Sequence, residues 1–272
     1  MRPLALTWAL TGLASCWLVG CASPDGLLTG ATPVTAYALD FAVDPALVEE
    51  IAFETEDGLT LAGVWLRQPQ AAPPLVLFHS GQNIDAHVLR MEHLWSWGVY
   101  DVLAFDYRGH GRSDGAADFS ASLVHDGPAA ARYAADSVGV EVDEVPWVAF
   151  SLGSTAALHA AGVVSPRALA VEGAPLDLQE WLDAASGLEL PSAWFAELDF
   201  DNASAAAAVS APSLFIRGAM DPIVSSESAA ALIGAAGGPA ALWEPEWVGH
   251  DDVLQVSPEA YRDRVFAALN SQ

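Results

Sequence analysis

Hydrophobic positions alternate near the start of the chain and then gather into short uninterrupted runs. Residues 50–55 and 59–66 alternate on either side of Asp57-Gly58, a dipeptide typical of a β-hairpin turn. Apolar runs without alternation suit strands that are buried on both faces of a sheet. These runs lie at residues 74–78, 99–105, 145–150, 168–171, 212–216 and, more weakly, 240–243. The pattern predicts two antiparallel strands followed by a mostly parallel sheet.

Segments long enough for helices separate these runs. They lie at residues 84–97, 119–137, 152–163, 226–236 and 252–269. Strands that alternate with helices form a sheet covered by helices on both faces, so we predict one α/β domain over residues 45–272.

One connection is too long for a simple crossover, because about forty residues separate the runs at 168–171 and 212–216. Its large apolar residues are Trp181, Leu182, Leu188, Leu190, Trp194 and Phe195. We predict a small helical lid at about residues 174–210. A crossover helix with a long loop is the alternative.

The first twenty residues have the pattern of an export signal. Arg2 precedes an uncharged apolar stretch that is short for a membrane span. The stretch ends in Leu18-Val19-Gly20-Cys21, which resembles the lipobox of bacterial lipoproteins. That resemblance implies removal of residues 1–20, acylation of Cys21 and a tether over residues 21–44. Ala22 after the cysteine resembles the pattern of proteins sent to the outer membrane. An ordinary signal peptide with a chance cysteine is the alternative.

Composition narrows the chemistry that the domain can carry. The chain has 10 Arg and no Lys against 35 Asp and Glu, an excess of negative charge that disfavours nucleic-acid binding. Without Lys, a Lys nucleophile and a P-loop are excluded. Cys16 and Cys21 are the only cysteines, so the mature domain has no disulfide, thiolate nucleophile or Cys-based metal site. We expect no metal, no organic cofactor and a monomer.

The strongest candidates for catalysis each stand just beyond an apolar run. Ser151 follows residues 145–150 and precedes an Ala-rich helical segment, and Gly153 relieves crowding at this strand-to-helix turn. Asp221 and His250 follow later runs in the same way. Loops after parallel strands meet at one edge of the sheet, where ligands bind. A Ser activated by His, with Asp orienting the imidazole, is the arrangement that nucleophilic acyl transfer requires.

Asp221 and His250 also have plainer interpretations. Asp221 precedes a helical segment, where an Asp is commonly a turn or capping residue. Asp177, which follows the preceding strand, is the competing acid. A single loop histidine such as His250 is usually a solvated residue.

An oxyanion hole needs preorganised N–H donors. The first candidate is the backbone N–H of Leu152, which follows the nucleophile. The second belongs to the loop after residues 74–78, where Gly81 and Ser80 are the candidates and His79 is interpreted as structural. The candidates for binding an apolar part of the substrate are the lid residues Trp181, Trp194 and Phe195.

Residues 50–269 resemble the α/β-hydrolase superfamily in its serine-hydrolase branch. The likeness is carried by Asp57-Gly58, His79-Ser80-Gly81, Asp106 to Ser113, Phe150-Ser151-Leu152-Gly153, Asp221 and Gly249-His250-Asp251. The chain departs from the family pattern at Ala149, where Gly is usual, and at Ser80, which separates His79 from Gly81. Both departures affect the oxyanion hole more than the triad. The stretch from Asp106 to Ser113 is similar to a structural turn of the family.

The resemblance implies a lipid-anchored serine hydrolase that cleaves carboxylic esters or thioesters of a small-molecule substrate. A dehalogenase or epoxide hydrolase of the same fold would carry Asp at position 151, so Ser151 argues against both. Two alternatives stay open. One is a peptidase or amidase with the same triad, and the other is a non-catalytic, lipid-anchored surface protein on a hydrolase scaffold.

Overall fold

A computed structural model of the chain describes residues 30–40, 42–186 and 200–271. Its strands are β1 Val48–Glu54, β2 Thr60–Leu66, β3 Pro74–Phe78, β4 Asp101–Phe105, β5 Trp147–Phe150, β6 Leu169–Glu172, β7 Ser213–Ile216 and β8 Ala240–Trp243. They form one eight-stranded sheet in the order β1-β2-β4-β3-β5-β6-β7-β8. β2 pairs antiparallel with β1 and with β4, and every other neighbouring pair is parallel. The predicted hairpin and mostly parallel sheet are confirmed.

Helices pack on both faces of this sheet. They are α1 Val88–Trp95, α2 Phe119–Val138, α3 Leu152–Ala161, α4 Leu178–Ser186, α5 Asn202–Ala208, α6 Ser226–Ala235, α7 Val253–Val256 and α8 Pro258–Leu269. Side chains of successive strand residues point to opposite faces. Val76 of β3 therefore joins the hydrophobic cluster under α2 and α3, whereas Leu77 joins the cluster under α1 and α8. Two cores, one on each face, hold the sheet.

The predicted helix over residues 252–269 is wrong in one respect, because it is broken into α7 and α8. Ser257 separates the two helices with a φ of −133° and a ψ of 51°, and Pro258 is the first residue of α8. Proline lacks a backbone N–H and disfavours the helical conformation of the residue before it, so Pro258 favours a break between the two helices at this point.

The connection between β6 and β7 begins with α4 and ends with α5. α5 packs against α3 and α6. Leu188, Leu190, Trp194 and Phe195 lie outside the described residues, so the lid that they were predicted to form stays a prediction.

The turn from Asp106 to Ser113 holds neighbouring segments together. The buried carboxylate of Asp106 accepts hydrogen bonds from the Tyr37 hydroxyl at 2.6 Å and from the Ile84 N–H at 2.9 Å. The Ser113 hydroxyl donates to the Asp106 carbonyl at 2.6 Å and accepts from the Ala62 N–H at 2.9 Å. These contacts agree with the structural role implied for the turn. Within residues 30–40, 42–186 and 200–271, no helix is long and apolar enough to cross a membrane.

Candidate active site

Ser151 occupies a strained turn between β5 and α3. Its φ of 55° and ψ of −123° lie in a region that a non-glycine residue rarely adopts. The Ser151 N–H donates to the Glu172 carbonyl at 2.8 Å, which holds the turn in place. A Cβ atom at Gly153 would lie 2.2 Å from the Phe78 carbonyl oxygen, so only glycine fits there. Ala149, the departure noted two residues before the serine, is fully buried in β5 and its methyl group is part of the core.

The structure brings Ser151, His250 and Asp221 together. His250 Nε2 lies 2.9 Å from Ser151 Oγ, and His250 Nδ1 lies 2.8 Å from Asp221 Oδ2. All three residues are only 8% exposed. The loops that carry the acid and the histidine are joined by a backbone hydrogen bond of 2.9 Å from the Met220 N–H to the Val248 carbonyl. Parallel strands β5, β7 and β8 therefore deliver the three side chains to one edge of the sheet.

Asp221 is both a turn residue and the partner of His250. Its Oδ1 accepts hydrogen bonds from the Ile223 N–H at 2.8 Å and from the Val224 N–H at 3.0 Å, which leaves Oδ2 for the imidazole. Asp177, the competing acid, accepts from the Glu180 N–H at 2.9 Å in the first turn of α4. The carboxylate that orients His250 is therefore Asp221.

Asp221 and His250 shift each other's proton affinity. Burial by itself raises the pKa of Asp221, but the hydrogen bond and charge of His250, with two backbone N–H donors, hold this pKa below its ordinary value. Burial by itself lowers the pKa of His250, but the hydrogen bond and charge of Asp221 raise it above the ordinary value. The carboxylate thus stays ionised and favours protonation of the imidazole.

Backbone N–H groups beside Ser151 form the candidate oxyanion site. Leu152 is the first residue of α3, so its N–H lies at the positive end of the helix dipole. Leu152 and Gly81 line the same small cavity, and Ser80 is not part of its wall. No group in the described part of the chain accepts a hydrogen bond from the Leu152 or Gly81 N–H. Ser151 and His250 do not line this cavity, so the second donor, Gly81 or Ser80, stays a prediction.

The predicted lid aromatics are only partly placed. Trp181 of α4 is half-buried and packs against the core cluster that includes Leu178 and Leu182, and it does not line the cavity at Leu152. Trp194 and Phe195 lie outside the described residues, as does Cys21. The aromatic residues that do line the cavity are Tyr107 and Phe119.

The sequence patterns did not predict a buried polar network at the end of β6, the strand next to the one that leads into Ser151. Arg90 of α1 forms an ion pair with Glu172, the last residue of β6, and the Tyr261 hydroxyl of α8 donates to Glu172 Oε2 at 3.0 Å. Each of the three residues is buried. The available signal was a charged residue directly after the apolar run at 168–171, because an unpaired carboxylate is costly to bury. Across the described residues, no cluster of His, Cys, Asp and Glu is arranged to hold a metal ion.

Comparison with known proteins agrees with this architecture. No protein-family model matches the chain. An uncharacterized protein of Mycobacterium tuberculosis, found in two strains, is 29% identical over 207 residues, which are 75% of this chain and 72% of that protein. An esterase from Pyrococcus furiosus superposes with a TM-score of 0.71 at 22% identity and covers 86% of this chain and 95% of its own. An alpha/beta hydrolase from a Penicillium species superposes with a TM-score of 0.63 at 17% identity and covers 82% of this chain and 97% of its own.

This chain has the α/β-hydrolase fold. The predicted fold class, a mostly parallel sheet with helices on both faces, is confirmed, while its small helical lid stays a prediction. Identities of 22% and 17% to the solved structures show the fold alone, since one fold supports many reactions. The activity must therefore be argued from the site.

Proposed function

We propose that this protein is a serine hydrolase that cleaves carboxylic esters or thioesters through an acyl-enzyme. The observation that carries the proposal is the unbroken hydrogen-bonded chain from Ser151 Oγ through His250 to Asp221, with distances of 2.9 and 2.8 Å. A serine hydroxyl becomes a useful nucleophile only when a neighbouring base removes its proton. The strained φ of 55° at Ser151 adds support, because such strain collects at functional sites.

The first half of the reaction transfers the acyl group to the enzyme. Ser151 Oγ attacks the carbonyl carbon while its proton moves to His250 Nε2, and Asp221 stabilises the resulting imidazolium. The N–H groups of Leu152 and of Gly81 or Ser80 stabilise the negative charge on the former carbonyl oxygen. The tetrahedral intermediate then collapses, and His250 gives its proton to the departing alcohol or thiol.

The second half regenerates the enzyme with water. His250 takes a proton from a water molecule, whose oxygen attacks the acyl carbon and forms a second tetrahedral intermediate. The bond to Ser151 Oγ then breaks, the proton returns to Ser151, and a carboxylic acid leaves. Neither half of the reaction consumes a cofactor.

The cavity beside Leu152 has a volume of about 10 Å³, about the space of one water molecule, so it does not itself select an acyl group. Its wall includes Tyr107 and Phe119 but also the charged residues Arg108 and Asp118. The chain carries a formal net charge of −25, which disfavours anionic acyl groups. An uncharged small-molecule ester or thioester is therefore the preferred substrate class.

A labelling experiment tests the nucleophile. A fluorophosphonate reacts with an activated serine, so we expect it to label the wild-type protein and to leave Ser151→Ala unlabelled. Ser213→Ala is the matched control, because Ser213 is also buried but lies at the start of β7 and donates to the Ala211 carbonyl at 3.0 Å. Labelling of Ser151→Ala at the wild-type level would refute the assignment of the nucleophile.

A substrate panel separates the proposal from its alternatives. We expect hydrolysis of p-nitrophenyl butyrate and a butyryl thioester, with much slower release from butyryl p-nitroanilide. Preferential cleavage of the anilide would favour a peptidase or amidase. A folded protein that takes no label and cleaves none of the three would favour the non-catalytic surface protein.

We also propose that Cys21 anchors the enzyme to the bacterial outer membrane. The supporting pattern is Leu18-Val19-Gly20-Cys21, followed by Ala22. Cys21→Ser should block lipid attachment and leave unprocessed precursor or soluble protein. Mass spectrometry of the membrane-derived wild type gives the direct test, and an unmodified Cys21 would reject the anchor.

A further inference from the structure

A buried ion pair lies at the end of β6, beside the end of β5 that leads into the candidate nucleophile. Glu172 ends β6 with its side chain 1% exposed, and its partner Arg90 extends from α1 with its side chain 7% exposed. Tyr261 of α8 completes the group, since it accepts from Arg90 Nη1 at 3.2 Å and donates to Glu172 Oε2 at 3.0 Å. Residues from two other elements, α1 and α8, therefore fix the Glu172 carboxylate in the interior.

The backbone of Glu172 holds the nucleophile turn. Its carbonyl oxygen accepts the Ser151 N–H at 2.8 Å and the Ser154 hydroxyl at 2.8 Å. Ser151 has an unfavourable backbone conformation, which persists only if the surrounding structure imposes it. A shift at the end of β6 would therefore move Ser151.

The same strand end also sets the position of His250. Gly173, the next residue, has a φ of 61°, and a Cβ atom there would lie 2.7 Å from His250 Cε1. The Phe150 ring provides a second contact, with its centroid 5.5 Å from that of His250 and 4.0 Å from the Arg90 guanidinium carbon. The ion pair is thus linked to both members of the nucleophile–base pair.

We infer that Glu172 and Arg90 form a positioning pair for the proposed hydrolase. Their ion pair holds Ser151 and His250 in the relative position that the reaction needs. This inference rests on the proposed function and adds two residues that do not touch the substrate. The charge of the Glu172 carboxylate acts on the His250 imidazole, and the positive charge of its partner Arg90 opposes that effect. Replacing either charge should therefore disturb both geometry and proton affinity.

The electrostatic part of the inference makes a signed prediction. The carboxylates that favour protonation of His250 are Asp221, Asp251 and Glu172. Loss of the Glu172 charge removes one of them and leaves Arg90 unbalanced, so the pKa of His250 should fall. Loss of the Arg90 charge should raise this pKa, because Glu172 then acts alone.

The test compares Glu172→Gln, Arg90→Gln and the double variant in the full-length protein. We expect each single variant to lower kcat about tenfold with KM within about twofold, since positioning acts on the chemical step. The acid limb of kcat/KM should shift by roughly 0.5 pH unit, downward in Glu172→Gln and upward in Arg90→Gln. In the double variant it should return close to the wild-type position.

Asp101→Asn is the matched control. It breaks the ion pair between Asp101 and Arg67, in which Asp101 is also buried. Asp101 is the first residue of β4, so this pair lies at the amino-terminal ends of the parallel strands, away from the carboxyl ends that carry the site. If the Glu172–Arg90 pair were merely structural, its variants would behave like this control, with a lower Tm and an unchanged pH profile of kcat/KM. Equal or absent shifts in the two single variants would overturn the inference.

Two further measurements keep the test decisive. NMR titration of the His250 imidazole needs no substrate, so it can show the opposite shifts even if the wild type hydrolyses nothing and the proposed function fails. If the glutamine variants do not fold, Arg90→Lys keeps the charge but loses the planar guanidinium that spans Glu172 and Tyr261. Its kcat should fall severalfold with an unmoved acid limb, and a wild-type kcat would overturn the inference.

Discussion

Gly173 offers a sharp test of the site geometry, because alanine there would push against the histidine. A Cβ atom at Gly173 would lie 2.7 Å from His250 Cε1 and 3.1 Å from His250 Nδ1, whereas ordinary contacts begin at 3.4 Å. The ring must therefore retreat by about 0.7 Å. His250 Nε2 lies 2.9 Å from Ser151 Oγ, so a retreat of this size directed away from Ser151 would stretch the hydrogen bond beyond its normal range.

The expected loss of activity follows from this displacement. A misplacement of about 1 Å in a catalytic group can cost about 100-fold in rate, so we expect kcat/KM for Gly173→Ala to fall roughly 30- to 100-fold. The backbone contributes separately to stability, because alanine at positive φ costs about 1 kcal/mol or slightly more. The assay combines kcat/KM for p-nitrophenyl butyrate with the free energy of unfolding.

Gly139→Ala separates these two effects. Gly139 ends α2 with a φ of 74°, and a Cβ atom there would meet nothing within 4 Å. This variant should lose similar backbone stability and keep full activity. The reasoning would be refuted if folded Gly173→Ala retained kcat/KM within about threefold of Gly139→Ala.

Three other outcomes follow from the site. The acid limb of kcat/KM should have its midpoint above pH 6.5, because the base must be neutral and Asp221 raises the pKa of His250; a midpoint below 6.5 in a pH–rate profile would contradict this. Asp221→Asn should lower kcat about 10⁴-fold, because asparagine favours the wrong tautomer of His250. Asp177→Asn should leave steady-state rates intact, and the reverse result would assign the role of the acid to Asp177. If the predicted lid supplies an acyl pocket, kcat/KM should rise about fourfold per added methylene, since each contributes about 0.8 kcal/mol. Trp194→Ala should flatten that rise across p-nitrophenyl esters, and a flat wild-type profile would reject the pocket.

Local patterns were sufficient to predict the sheet and the placement of the candidate triad. Apolar runs without alternation identified buried strands, and loops after parallel strands must share one edge of the sheet. Ser151, Asp221 and His250 each follow such a run, so their meeting was predictable without any contact being known. Pro258 also carries a local signal for a helix break, which the pattern of apolar residues over 252–269 does not show.

Contacts between distant segments were decided only by the tertiary structure. Arg90, Glu172 and Tyr261 come from α1, β6 and α8. The position of Glu172 after an apolar run indicates that its charge needs a partner, but the local sequence does not identify that partner. Gly173 likewise stands in an ordinary loop. The requirement for glycine at this position becomes apparent only in the folded protein, where His250 packs against it. Hydrophobic periodicity depends on neighbours within a few residues along the chain, so it specifies strands, helices and their order. The burial of a charge, or a close contact between two side chains, depends on which elements become neighbours in space. That is determined only when the helices pack on the two faces of the sheet.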